Sequence, residues 1–187
     1  VNEGPYRAIN DIAVLQNSLW IASKKGLHRY DLFGNIINHY TQQSNKLSGI
    51  ADNNILSLLV VDQHTLWIGT GSNGVSHLNL TSHQLGHINQ DTIGSDVFVN
   101  HDMRSFEFDD KNRLWIGSSQ GLYIASHNSF KPASFHYPEL TKFDLAFISD
   151  IRFFDGELWL TTFGDGVVRY NFETKRITKF YTPKPKE

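Results

Sequence analysis

Residues 114–123 read LWIGSSQGLY, and three close variants occur elsewhere in the chain: LWIASKKGLHRY from Leu19, LWIGTGSNGVSHL from Leu66 and LWLTTFGDGVVRY from Leu158. Each has a leucine followed by tryptophan, a short apolar run, a polar turn and a glycine. The tryptophans stand at 20, 67, 115 and 159, so consecutive copies lie 47, 48 and 44 residues apart, and they account for all 4 tryptophans of the chain. A recurrence at this period marks a repeat architecture, in which each copy is one supersecondary unit.

The second copy shows what surrounds the tryptophan. It reads ILSLLVV (55–61), a turn at Asp62, Gln63 and His64, LWIGT (66–70), a turn through Gly74, VSHLNL (75–80) and QLGHI (84–88). β-Branched and aromatic residues fill pieces of strand length, and Asp, Asn, Gly and Ser mark the joints. No segment carries a helical period over ten or more residues. Aligned on tryptophan, the first strands are INDIAV (9–14), ILSLLV (55–60), MRSFEF (103–108) and ISDIRF (148–153). Their alternating pairs Ile12/Val14, Leu58/Val60, Phe106/Phe108 and Ile151/Phe153 predict a packing face.

The connections into the Trp strand, LQNS, DQHT, DKNR and FDGE, have the composition of tight hairpins. Gly26, Gly74, Gly121 and Gly166 open the third strands, where a positive φ or a close backbone approach is expected. Fourth strands read NIINHY, QLGHIN, PASFHY and RITKFY, three of them ending in tyrosine: Tyr40, Tyr137 and Tyr181. Four antiparallel strands per repeat, arranged radially, predict an all-β propeller with blades at about 8–43, 54–90, 102–137 and 147–182. Trp20, Trp67, Trp115 and Trp159 then become wedges between blades.

Composition narrows the function classes. With 40% hydrophobic and 13% aromatic residues in 187, the chain can fill a core. The net charge of −2, acids and bases intermixed, offers no basic stripe for nucleic acid and no cationic segment for a membrane surface. No apolar run approaches the roughly 18 residues that span a bilayer, and no signal-peptide pattern opens the chain. The first residue is Val1, which suggests an excised segment. The absence of cysteine excludes disulfides and thiol chemistry.

The succession Leu-Trp-Ile-Gly-Thr, glycine with Leu or Val, Arg-Tyr-Asp/Asn and a strand ending in Tyr resembles the two-component regulator propeller repeat. Leu66 to Thr70, Gly26 to Asp31 and Gly166 to Asn171 carry the match, while Ala22, Thr161 and the stretch Ile124, Ala125, Ser126 depart from it. The resemblance implies a periplasmic, non-enzymatic sensor segment of an inner-membrane receptor with a histidine kinase or diguanylate cyclase output. It implies oligosaccharides or other small molecules as ligands. It also favours an arc of a larger ring, about seven blades, completed by further blades or a second chain; four blades closing on themselves remain the alternative. A protein-interaction propeller without a small ligand is the rival function, and an Asp-box glycosidase-like enzyme is a third.

Candidate ligand contacts follow from position, because the second-to-third and fourth-to-first connections share one face of a propeller and loops on a rigid scaffold carry recognition. They are Lys24, Lys25, Asn73, Gln120, Phe163 as a sugar-stacking platform, and Asp165, with Asp11 and Asp150 at equivalent places in first strands. As a pair of carboxylates the two aspartates could also serve glycoside hydrolysis, although a turn-stabilising role explains them as well. Glu107 and Arg152 are expected to form a structural ion pair. The spacing of His83 and His87 lacks the third ligand a zinc site needs. His28, His77 and His136 read as strand residues facing solvent or a blade interface. No metal, cofactor or catalytic residue is expected.

Overall fold

The computed structural model describes residues 8–42, 49–88, 101–126 and 129–181. They form four separate four-stranded antiparallel sheets, each with its strands in chain order. The first holds β1 (Ile9–Leu15), β2 (Ser18–Ser23), β3 (Gly26–Asp31) and β4 (Ile36–Tyr40), and the second β5 (Ile55–Val60), β6 (Thr65–Thr70), β7 (Val75–Asn79) and β8 (Gln84–Ile88). The third holds β9 (Met103–Phe108), β10 (Leu114–Ser118), β11 (Gly121–Ser126) and β12 (Ser129–Pro132), and the fourth β13 (Ile148–Phe154), β14 (Glu157–Thr162), β15 (Gly166–Asn171) and β16 (Arg176–Tyr181). The expected blade limits at 43, 89–90 and 182 lie outside the described residues.

Local chemistry sets these hairpins. Gln16 and Asn17 (φ 51° and 52°) and Asp155 and Gly156 (52° and 72°) take the paired positive φ values of tight turns whose twist suits flanking strands. The four glycines that open third strands all have positive φ: 110° at Gly26, 72° at Gly74, 141° at Gly121 and 74° at Gly166. At Gly26 a Cβ would stand 2.3 Å from the carbonyl oxygen of Tyr40, so the absence of a side chain is required twice over. A register shift recurs near the start of three first strands, between Ile9 and Asp11, Ile55 and Ser57, and Ile148 and Asp150.

The chain divides into two compact units, residues 1–103 and 104–187. In the first unit, Trp20 and Ala22 of one sheet pack with Ile55, Leu66, Ile68 and Leu78 of the next. Trp20 is fully buried there, stacked on Tyr40 at 5.9 Å and capped by the Arg29 guanidinium at 5.1 Å. In the second unit Trp115, Leu122 and Ile124 pack with Ile151, Leu158, Leu160, Val168 and Tyr170. Trp20 and Trp115 are thus wedges between sheets, whereas Trp67 and Trp159 are half-buried.

Three expectations need correction. Ile12 and Val14 do not pack: they are 61% and 66% exposed, because no described sheet covers that face of β1, while Phe106 and Ile151 in the same role are buried. PASFHY is not a strand. β12 ends at Pro132, a short helix α1 occupies Ala133–His136 and a 3-10 helix follows over Pro138–Phe143. Pro132 supplies no donor to a continuing ladder, and Pro138 suits the first position of a helical turn. The helical insert instead buries Ala133, Leu140 and Phe143, and Tyr137 still reaches Trp115 at 5.8 Å. His136 accordingly lies in α1, not in a strand.

A buried polar cluster between β9 and β10 was not foreseen. Asp109 Oδ2 accepts hydrogen bonds from Trp115 Nε1 (2.9 Å) and Arg113 Nε (2.6 Å), while Oδ1 accepts the backbone N–H groups of Lys111 (3.0 Å) and Arg113 (2.9 Å). Arg113 Nη1 in turn donates to the Tyr137 hydroxyl. Burial pushes the Asp109 carboxyl upward, but the bonds from Trp115 and Arg113 outweigh it and hold the group below its ordinary value.

Candidate functional site

The turn between second and third strands and the connection into a following first strand lie side by side in each unit. In the first unit Gly26 N donates to the Asn53 carbonyl (2.7 Å) and Gly71 N to the Asn54 carbonyl (2.9 Å). In the second, Phe163 N donates to the Phe147 carbonyl (3.0 Å), and Gly121 abuts the Asp144 carbonyl so closely that a Cβ would sit 2.6 Å away. These main-chain contacts fix the loops on the sheet ends.

Within the first unit, Lys24 and Lys25 form the exposed turn, with Lys25 N bound to Ser23 Oγ (3.0 Å) and the Lys25 carbonyl 2.8 Å from His39 Nε2. Asn73 Nδ2 donates to the Ala51 carbonyl (2.9 Å), and Ser72 Oγ donates to Asp52 Oδ2 (2.7 Å). The structure therefore gathers Asn73 with the 51–54 connection, which also receives Gln42 through Asn53 Oδ1 and the Ala51 carbonyl.

The second unit presents an aromatic rim. Phe163 is 87% exposed and lies 6.0 Å from the Phe147 ring, with Leu145, 86% exposed, two residues before Phe147. The Arg104 guanidinium covers Phe147 at 4.5 Å. Asp165 is paired with Lys179, whose hydrogen bond lowers the Asp165 carboxyl. Gln120 contributes backbone: its N–H is bound by Ser118 Oγ (3.1 Å) and its carbonyl accepts from the Tyr123 hydroxyl (3.1 Å). An exposed ring with an acid–ammonium pair anchored two residues along the same turn can stack an apolar ring face and hydrogen-bond its polar substituents. Phe147 was missed because a phenylalanine before a strand reads as core.

Asp11 and Asp150 are differently employed. Asp11 Oδ2 accepts the Leu58 N–H of the neighbouring sheet (2.8 Å) and Oδ1 its own next amide, that of Ile12 (2.8 Å). Asp150 Oδ1 accepts from Ser105 Oγ (2.8 Å), from Ile151 N (2.9 Å) and from Arg152 Nη1 (2.9 Å). Ser57 and Ser105 occupy the equivalent position in the other sheets. Ser57 Oγ donates to the Met103 carbonyl (2.8 Å), and Ser105 Oγ accepts the Ile151 N–H (3.0 Å). Asp11 in the first unit, and Ser105 with Asp150 in the second, thus tie one sheet to its neighbour through a short oxygen-bearing side chain. Arg152 also lies 3.8 Å from Glu107, whose carboxyl is raised by burial against the attraction of that guanidinium.

The histidines serve the sheets. His28 is fully buried and stacks on His39 at 4.0 Å, His77 packs on Trp67 at 5.9 Å, and His87 Nδ1 lies 3.1 Å from Ser76 Oγ. His83 sits in the turn before β8 with φ 55°. Among the described residues no group of three or more His, Asp or Glu side chains is placed to hold a metal ion.

No family model matches the chain. Among curated proteins it is similar to histidine kinase P4 of Formosa agariphila, 26% identical over 162 residues, covering 84% of this chain and 12% of that protein. The chain therefore spans about an eighth of the length of the curated relative it matches. Among solved structures, the extracellular domain of a hybrid two-component system from B. thetaiotaomicron superposes with a TM-score of 0.70 at 18% identity, over 95% of this chain and 22% of that one. The WD40 domain of Neurospora crassa Pan2 gives 0.63 at 15% identity, over 93% and 49%. These likenesses establish the fold as that of a β-propeller arc.

Proposed function

We propose that this chain, whose repeats belong to the two-component regulator propeller family, is a ligand-sensing, non-catalytic stretch of the extracytoplasmic, periplasmic propeller of a histidine-kinase receptor. The observation that carries this reading is the match of 84% of the chain to a small part of a histidine kinase. In such a receptor the propeller recognises a ligand on its loop face, and occupancy signals because it favours one arrangement of the receptor over another. The rim of Phe163, Phe147 and Asp165 is the proposed contact, and an oligosaccharide, with one apolar ring face and many hydroxyls, is the ligand class it suits.

The outer sheet faces support further blades as neighbours. On β1 and β2 the uncovered face presents Ile12, Val14, Leu19 and Ile21, matching the Leu58, Leu66 and Ile68 set that receives Trp20. The fourth sheet presents the opposite kind of face: Trp159 packed at a tilt against Phe180 with ring centroids 4.9 Å apart, and the Arg169 guanidinium 5.7 and 5.0 Å from the two rings. Trp159 Nε1 is buried without an acceptor, whereas Trp20 and Trp115 have one. A following blade over Trp159 and a preceding one over Ile12 would repeat the packing seen inside each unit.

A panel of oligosaccharides screened by thermal shift against the receptor ectodomain tests the reading. A ligand at about 100 times its Kd adds ~2.7 kcal/mol to stability. One glycan class is expected to raise the melting temperature of the native ectodomain, and Phe163→Ala to abolish the shift without altering the unliganded melt. A silent panel together with capture of a protein partner would instead favour the interaction propeller, and a shift that survives Phe163→Ala would move the site elsewhere.

A further inference from the structure

Two ammonium groups share one carboxylate beside Phe163. Asp165, in the turn that carries the ring, is paired with Lys179 of β16, and Lys142, from the 3-10 helix that precedes Phe147, acts on the same carboxyl. Three elements of the second unit, the 3-10 helix, the β14–β15 turn and β16, thus bring two positive groups and one negative group to one place. The turn and the connection are joined by the bond from Phe163 N to the Phe147 carbonyl (3.0 Å), so the stacking ring and this charge surplus stand on touching loops.

Lys142 is the ammonium left over. Among the described residues no carboxylate lies within ion-pair distance of it. The acids nearest in sequence are engaged elsewhere: Glu139 lies 3.6 Å from Lys175 Nζ and 3.4 Å from the Tyr170 hydroxyl, and Asp144 Oδ2 accepts Ser134 Oγ (2.8 Å). The Lys142 ammonium sits instead 4.6 Å from the centre of the buried Phe143 ring. Burial there lowers its pKa below the ordinary value; the attraction of Asp165 opposes this, and the repulsion of Lys179 adds to it. A cation partly stripped of water and lacking a counter-charge of its own gains most from an anionic partner.

Given a sugar stacked on Phe163, the reading on which this step rests, we infer that the sugar is acidic: a carboxylate or sulfate ester on it pairs with Lys142, which is thereby a specificity-determining residue of the site. Phe163 reads the ring face and Lys142 the charge. A neutral saccharide keeps the stacking but leaves the surplus ammonium unpaired, and that difference is the discrimination.

Calorimetry on the native ectodomain tests it, with oligogalacturonates against their methyl esters and a sulfated carrageenan oligosaccharide against its desulfated form. One acidic form is expected to bind, more weakly as salt rises, and its neutral counterpart to bind about tenfold more weakly or worse. Which of the two pairs responds tells a carboxylate from a sulfate. Lys142→Gln should largely remove the difference between acidic and neutral forms, while Lys111→Gln, the same loss of charge in the hairpin between β9 and β10, should keep it. A neutral form that binds as well as its acidic counterpart, and is lost in Phe163→Ala, overturns the acid assignment and leaves the sensing reading standing. An acid preference that survives Lys142→Gln overturns the role of Lys142. Silence of every form, acidic and neutral, overturns both.

Discussion

Asp11 holds the backbone amide of Leu58, 47 residues away, at 2.8 Å. Because the same place in β9 is filled by Ser105, whose Oγ accepts the amide of Ile151 at 3.0 Å, the contact belongs to the repeat and not to one blade. Removing the acceptor leaves a partly buried N–H unpaired, which costs about 1–3 kcal/mol. Asp11→Ala is therefore expected to lower stability by that amount in urea unfolding, and Asp11→Ser to recover part of it. Equal losses in the two variants would show that the carboxylate acts through its charge instead.

Asp109 is the second acceptor whose loss should be felt, and more strongly. Its side chain is wholly buried and takes four hydrogen bonds, two of them from the Arg113 backbone and guanidinium. Asp109→Ala leaves the buried Trp115 Nε1 without its acceptor and the partly exposed Arg113 guanidinium without its carboxylate, and a loss of about 3 kcal/mol is expected. The carboxyl is held below its ordinary value in the folded chain. The unfolded chain therefore takes up the proton first as pH falls, and this contribution is intact above about pH 4 and lost below it. Native protein should show a steepening loss of stability below that pH which Asp109→Asn lacks; parallel curves would refute the assignment.

Gly26 and Gly34 separate two reasons for glycine. Both have positive φ, 110° and 89°, but a Cβ on Gly26 meets the Tyr40 carbonyl at 2.3 Å and a Cβ on Gly34 meets nothing within 4 Å. Gly34→Ala should cost only the conformational strain, about 1–2 kcal/mol. Gly26→Ala must also displace backbone, so its melting temperature should fall distinctly further. Similar melts for the two would mean that the third-strand turn adapts and does not constrain the blade.

The four sheets were legible because each rests on a signal that only one geometry satisfies: a recurring tryptophan, a glycine forced to positive φ, a two-residue turn such as Asp155-Gly156. The insert at Ala133–His136 was not, because PASFHY has strand-like aromatic content; Pro132 and Pro138 on its two sides were the informative residues. Asp11 and Asp150 stood out in the sequence as carboxylates at matching positions, yet Ser57 and Ser105, which complete the pattern, are silent in composition. Asp109 reads as one more turn residue, since nothing in its neighbours announces that the turn is buried. The loop face was legible as a place, but Phe147 shows that its membership depends on where a connector crosses the sheet end.

His28 gives the sheet a dependence on pH in the range where histidine titrates. It is fully buried against His39, and burial first, then the repulsion of His39, lowers its pKa to about 4. An unfolded chain takes up a proton near the ordinary value of 6.5, whereas the folded chain resists until about pH 4. Stability from this residue is therefore full above about pH 6.5 and declines as pH falls toward 4, by about 3 kcal/mol in all. The equivalent place in the second sheet is Ser76, opposite Ile68 as His28 is opposite Ile21. His28→Ser supplies a side chain the fold already accommodates there. Urea midpoints at pH 7 and pH 4.5 should differ much less for His28→Ser than for the native chain. Other titrating groups, His77 and Glu107 among them, are common to both proteins and cancel in the comparison. An unchanged difference between the two midpoints would mean that His28 becomes charged in place, with the β3–β4 edge opening to water before the sheet unfolds.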